Sequence, residues 1–303
     1  MKCVAIGECM LELSRAPGDT GYYQLGFGGD TLNAMIYMAR QGICVEYLTA
    51  LGDDPYSQDM IDAWGREGVG SSLVQRVTGS LPGFYIIETD FAGERCFHYW
   101  RDNAPARQLF DRVSSEEMFL RLMDFDYLYL SGITLSLYSE PARDLLLDFF
   151  TRYTQSGGRI VFDSNYRPRG WPAPEVAREV FDRVLGYCYM ALPSLEDEQL
   201  LRPGVSADEV LERHRALGIR EVVVKCGPQG CLAWSADSEI YRQQFEPVVA
   251  VDTTAAGDSF NGSYLAARML GVNIQSAADL AHRVASTVVQ YPGAIIPRDS
   301  IIQ

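Results

Sequence analysis

Short apolar runs punctuate this chain at intervals that leave room for a helix between them. CVAIG (3–7), VEYLTALG (45–52), YLYLSG (127–132), RIVFD (159–163) and EVVVKCG (221–227) each read as a buried strand, and helical spacing of apolar residues follows most of them. Strands that alternate with helices pack as one α/β sheet covered by those helices. In such sheets the loops after the strand carboxyl ends collect the ligand-binding groups. At 303 residues the chain can hold two average domains or one large α/β domain with an attachment.

Two inserts interrupt the alternation. Residues 10–27 carry Pro17, Gly18, Gly21, Gly26 and two tyrosines, and read as an irregular or hairpin excursion. Residues 74–104 alternate, are rich in Tyr, Phe and Ile, and turn at Ala92 and Gly93, the pattern of a β-hairpin. Together they suit a small discontinuous β lid within a single domain spanning 1–303. Sheet packing accounts for Phe84, Phe91 and Phe97. Arg101 at the end of the hairpin is different, because a guanidinium fork is the best side-chain partner for a planar carboxylate. A solvated strand arginine is its ordinary alternative.

Val251 to Leu265, VDTTAAGDSFNGSYL, begins as a strand tail and passes into a helix with Phe260, Tyr264 and Leu265 on one side. Small residues at Ala255, Ala256 and Gly257 let the backbone turn tightly at the helix start and leave amides pointing forward, a ready anion site. Asp258 directly behind such a nest would repel a phosphate that was only bound there. It fits a base that takes a proton from a hydroxyl beside a transferring phosphoryl group. The competing reading is a helix start with an acid in its first turn.

GFGGDTLNAMIYMARQG, from Gly26, breaks at Gly28 and Gly29 and then shows helical spacing from Thr31 up to Gly42. Asp30 and Asn33 therefore sit at a helix start. They either cap it or face a cleft, where two short polar side chains beside a glycine pair suit hydroxyl-rich ligands. The loop SNYRPRGW after RIVFD makes Asp163, Asn165 and Arg167 further candidates.

DTTAAGDSF with Gly262, and GGDTLN with Asn33, together resemble the two signatures of the ribokinase-like sugar kinases, the PfkB family. Ser263 stands where the usual pattern has Ala or Gly, a small-for-small change. The resemblance covers essentially the whole chain and implies a three-layer α/β/α sandwich with a small β-sheet lid. It implies Asp258 as catalytic base and the Ala255, Ala256, Gly257 turn as anion hole. Gly29, Asp30 and Asn33 would hold sugar hydroxyls, and Tyr85, Tyr99 and Arg101 the carboxylate end of an acidic sugar. Arg167 would lie between sugar and nucleotide phosphates, with Asn165, Lys225, Gly227, Gly230 and Gly257 on the nucleotide side. The family's Asn-x-x-Glu motif is replaced here by Ser194 and Asp197, so Asp197 would reach a metal only through water. GGDTLN resembles the branch acting on 2-keto-3-deoxy-D-gluconate, which implies ATP-dependent phosphorylation at O6 with Mg2+, and leaves room for a monovalent cation such as K+. The rivals are a kinase for a neutral sugar such as fructose or ribose and a non-catalytic sugar-acid sensor.

Composition narrows the partners. A net charge of −14 and no basic block argue against nucleic acid. Seven scattered cysteines without a CxxC pair suit free thiols in a reducing compartment, and no signal segment or membrane span is visible, so the expected location is cytoplasmic. Exposed lid strands that could pair across a two-fold suggest a homodimer or a higher homo-oligomer. There is no GxxxxGK[ST] loop, GxGxxG fingerprint, GxSxG elbow or zinc spacing among His98, His214 and His282.

Overall fold

The computed structural model describes residues 1–15, 21–89, 95–112, 115–244 and 248–300. The expected Pro17–Gly18 bend, Phe91 and the turn at Ala92 and Gly93 lie outside these residues.

Strands β1 (Lys2–Ile6), β2 (Met10–Arg15), β3 (Tyr23–Gly28), β4 (Cys44–Leu48), β5 (Ala50–Gly52), β6 (Val69–Gly70), β7 (Gln75–Val77), β8 (Phe84–Thr89) and β9 (Arg95–Trp100) make up the first third. β10 (Tyr127–Ser131), β11 (Arg159–Asp163), β12 (Cys188–Ala191), β13 (Glu221–Lys225), β14 (Cys231–Ser235) and β15 (Tyr241–Gln243) follow. Nine of them form one sheet in the order β15-β14-β13-β12-β11-β10-β1-β4-β6. The pairs from β13 to β6 are parallel, and β14 and β15 add antiparallel at one edge.

The near-continuous apolar character of these strands has a direct cause: both faces are covered. Val4, Ile6, Leu128, Leu130 and Phe162 point into a core shared with helices Glu140–Gln155 and Pro174–Leu185. Cys3, Ala5, Tyr127, Tyr129 and Val161 point into another, beneath helices Asp30–Ala39, Ala256–Met269 and Ile274–Val288. The result is an α/β/α sandwich of the expected kind.

The excursion and the hairpin join in a second sheet, ordered β3-β2-β8-β9. β2 pairs antiparallel with β3 and parallel with β8, and β8 pairs antiparallel with β9. Its base adjoins the carboxyl end of β1, since only Gly7, Glu8 and Cys9 separate β1 from β2.

Three boundaries differ from the sequence reading. VEYLTALG is not one strand: it breaks at buried Thr49, so that β4 lies in the large sheet and β5 pairs with β7. Val251 is no strand tail; it is exposed, and its amide and that of Asp252 donate to the Val289 carbonyl instead. The helix after Gly29 starts at Asp30 rather than Thr31.

Candidate active site

Loop conformation builds the centre of the site. Among the described non-glycine residues only Asn165 (φ 26°) and Ala255 (φ 59°) have positive φ. A side chain in this region costs about 1–3 kcal/mol and persists only where the surroundings enforce it. Ala255 is the N-cap of helix Ala256–Met269 and supplies no side-chain cap. Its carbonyl takes the Ser259 amide, whereas the Gly257 and Asp258 amides donate to no group among the described residues. Those amides and the positive helix end leave the AAGD turn with donors that an anion could accept from.

Helix Asp30–Ala39 packs directly against this helix. A Cβ on Gly262 would lie 2.1 Å from the Ala34 carbonyl oxygen, so glycine there sets how closely the two axes approach. The close crossing brings Asn33 Nδ2 to Asp258 Oδ2 at 2.9 Å. Neither Asp30 nor Asn33 caps its helix: the N-cap is Gly29, with no side-chain bond. Gly29 itself lies on the Glu8 backbone, where an added Cβ would sit 2.2 Å from the carbonyl oxygen.

Three aspartates at this centre each receive one asparagine amide. Besides the Asn33–Asp258 pair, Asn165 Nδ2 donates to Asp30 at 2.8 Å and Asn261 Nδ2 to Asp163 at 2.8 Å. Ser131, the last residue of β10, also bonds Asp30. Lys225 at the end of β13 adds the cation, with Nζ 3.0 Å from Asp163 Oδ1 and 3.0 Å from Asn261 Oδ1. The strand-end residues Ser131, Asp163 and Lys225, with Asn165 in the loop after β11, thus meet the two helix starts, as expected for the carboxyl edge of an open sheet.

The electrostatic consequence falls on Asp258. Loss of solvent is the largest cause and the Asp30 and Asp163 charges add to it, while the Asn33 bond and Lys225 oppose it; the carboxyl is pushed up to about 7. Burial raises Asp30 as well. A carboxylate in this range is a competent base near neutral pH. Asn33 Oδ1 is buried without a partner among the described residues, an acceptor able to take a hydroxyl.

The remaining candidates separate into groups. Tyr99, about half exposed, lies within electrostatic reach of Arg101, Arg167 and Asp30. Arg101 lies 5.7 Å from the Tyr99 ring centroid and pairs with Glu8. Tyr85 is buried and gives its hydroxyl to Glu12, beside Gly28. Arg167, its side chain 59% exposed, reaches Asp197 Oδ1 at 3.2 Å. Asp197 also accepts from Ser164 Oγ at 3.4 Å, and burial raises its carboxyl while Arg167 opposes this.

Two residues stand elsewhere than their expected nucleotide role suggests. Asn165 contacts Asp30, at the end of the cleft expected to hold sugar. Gly230 is buried under β15, where a Cβ would sit 2.2 Å from the Gln243 carbonyl oxygen, so packing dictates this glycine. Gly227 is exposed at φ 57°, and its carbonyl accepts the Gly230 amide at 3.2 Å. Gly257 lies close enough to Lys225 that a Cβ would be 3.8 Å from Nζ.

Sequence reasoning passed over Asn261, Glu8 and Glu12. Asn261 lies within the quoted DTTAAGDSFNG string, three residues after Asp258 and so on the same helix face. Glu8 is an acid next to an apolar strand, CVAIGECML, and its position at a strand carboxyl end was the available signal.

Sheet order, helical layers and the attached small sheet define a ribokinase-like α/β enzyme. A family model described as pfkB family carbohydrate kinase matches residues 1–301, and the chain belongs to that family. It is 43% identical to 2-dehydro-3-deoxygluconokinase of Escherichia coli K12, with 99% of this chain and 98% of that protein covered. The protein of the same name from Dickeya dadantii is 43% identical, covering 98% and 97%. Among solved structures, a candidate ribokinase II from E. coli with ATP and Mg2+ superposes with a TM-score of 0.84 at 25% identity, covering 99% of this chain and 96% of that one.

Proposed function

We propose that this protein transfers the γ-phosphoryl group of ATP to O6 of 2-keto-3-deoxy-D-gluconate, the activity named for its 43%-identical relatives. The observation that carries the reading is Asp258, poised as a base on Asn33 at a helix start whose Gly257 and Asp258 amides donate to no group among the described residues.

Asp258 takes the O6 proton as O6 bonds to the γ-phosphorus and the bond from that phosphorus to the ADP oxygen breaks. The Gly257 and Asp258 amides stabilise charge on the phosphoryl oxygens, in place before the reaction begins, while the Ala256 amide is held by the Thr253 carbonyl. Asp30, Asn33 and the Gly29 backbone hold the sugar hydroxyls, and Asn165 joins them by orienting Asp30. Tyr99 and Arg101 receive the carboxylate, with Tyr85 packed behind them. Lys225, Gly227 and Gly257 accommodate the nucleotide, and Arg167 lies between the two ligands.

Among the described residues no group of three or more His, Cys, Asp or Glu could hold a metal ion. The residues nevertheless fit Mg2+ carried in by the nucleotide, which would supply charge neutralisation at the phosphates. Asp197, already engaged by Arg167 and Ser164, would reach such an ion only through water.

The four-stranded sheet acts as the lid. Leu25 and Trp100 are exposed on its outer face beside Leu13, Phe84 and Ile86, and this apolar surface supports a homodimer built lid to lid. No helix among the described residues is long and apolar enough to cross a membrane. Seven free cysteines support a reducing, cytoplasmic setting.

Product analysis tests the activity. With ATP and Mg2+ the acid should yield one equivalent of ADP and a single phosphate ester, whose 31P signal couples to the C6 protons. A phosphate on any other carbon, or ADP release without ester, contradicts the reading.

A further inference from the structure

Glu8 carries a buried charge that the catalytic scheme leaves unused. It is 3% exposed and pairs through one carboxylate oxygen with the Arg101 guanidinium. Among the described residues its other oxygen, Oε1, has no partner, and neither has buried Arg101 Nε. The Tyr138 hydroxyl, within electrostatic reach of Glu8, is also buried and has no partner among the described residues. Buried acids are costly unless an opposite charge fixes them, so the pairing with Arg101 is what holds Glu8 there.

The position of Glu8 links both halves of the sugar end. Its carbonyl supports Gly29, next to Asp30 and Asn33, while its side chain crosses to Arg101 just past β9. Gly83 closes the gap, because a Cβ there would lie 3.1 Å from both Glu8 Oε1 and Arg101 Cβ. An arginine has several rotatable bonds, and freezing them at binding weakens a ligand's affinity. Glu8 freezes them beforehand.

We propose that Glu8 is a positioning residue for substrate selection: through its ion pair it holds Arg101 ready for the carboxylate of an acidic sugar and so sets the preference for acid over neutral ligand. The inference rests on Arg101 being the carboxylate receptor. A partly solvent-shielded fork held on one side by Glu8 presents its remaining N–H groups in one direction, which a carboxylate can accept and an uncharged group exploits less.

Calorimetric dissociation constants for 2-keto-3-deoxygluconate and its methyl ester, the same skeleton without the charge, test this. Wild type should favour the acid. Arg101→Ala should abolish that preference, and Glu8→Gln should cut the acid-to-ester ratio by about tenfold or more, the effect of losing one charge-assisted contact. Glu8→Asp, which keeps the charge on a shorter arm, should recover part of the ratio. If Arg101→Ala abolishes the preference but Glu8→Gln leaves it intact, Arg101 selects alone and the role of Glu8 is refuted. If Arg101→Ala leaves it intact, the receptor assignment fails and this inference with it. Should Glu8→Gln not fold, Glu8→Asp decides: a lowered ratio supports the proposal, and an unchanged ratio with lowered melting temperature overturns it in favour of a purely structural acid.

Discussion

Asp258→Asn should slow the enzyme and stabilise its ligand-free fold at the same time. Turnover should fall by about 10²- to 10⁴-fold, the usual contribution of a general base. The stability effect follows from the raised carboxyl. Burial and the Asp30 and Asp163 charges move it from 3.8 to about 7, so between those values the folded chain keeps a proton that the unfolded chain has lost. Folding stability from this group therefore falls as pH rises through the window, and the penalty is complete above about 7. A shift of about three units at about 1.4 kcal/mol each sets a ceiling of about 4 kcal/mol. Water entering the ligand-free cleft screens the charges and leaves about 1–3 kcal/mol. Asparagine keeps an acceptor for Asn33 and carries no charge, so at pH 8 the melting temperature should rise by about 2 °C per kcal/mol regained. Scanning calorimetry at pH 8.0 and 5.5 reads this, with the gain smaller at the lower pH. A variant less stable than wild type at pH 8, or one with near-wild-type turnover, would refute the reasoning.

Three other outcomes follow from the same geometry. Because Asp258 must be ionised to accept a proton, kcat/KM should rise about tenfold per pH unit below about 7 and level off above it, and a profile flat from pH 5.5 to 8 would contradict the base assignment. Gly262→Ala drives a Cβ against the Ala34 carbonyl oxygen; urea unfolding should show a loss of about 1–3 kcal/mol, with a drop in kcat/KM as the Asn33–Asp258 bond is pulled apart. Lys225→Met leaves Asp163 without its cation and should destabilise by about 3–5 kcal/mol; adding Asp163→Asn should restore stability in the same unfolding assay without restoring nucleotide affinity.

The parts of the site legible in the sequence are those fixed locally. The AAGD turn advertises itself through small residues and an acid in four consecutive positions, and Asn33 through helical spacing after Gly29. The asparagine–aspartate pairing was not legible. Asn165 meets Asp30 across 135 positions and Asn261 meets Asp163 across 98, contacts created by sheet order rather than by any local pattern. Thr49 shows the same limit in the fold. Nothing in VEYLTALG signals that the chain changes sheets there, because the run is apolar on both sides of Thr49 apart from half-buried Glu46. Glu8 escaped notice for a related reason: its partner, Arg101, arrives from a hairpin 93 residues away.

Initial rates with ATP and Mg2+ on 2-keto-3-deoxygluconate, fructose, ribose and gluconate at equal concentration test the central claim most directly. A clear preference for the keto-deoxy acid, lost in Arg101→Ala through a rise in KM of about 10- to 100-fold, is the predicted result. Faster turnover of a neutral sugar, or a preference for the acid that survives Arg101→Ala, would contradict it.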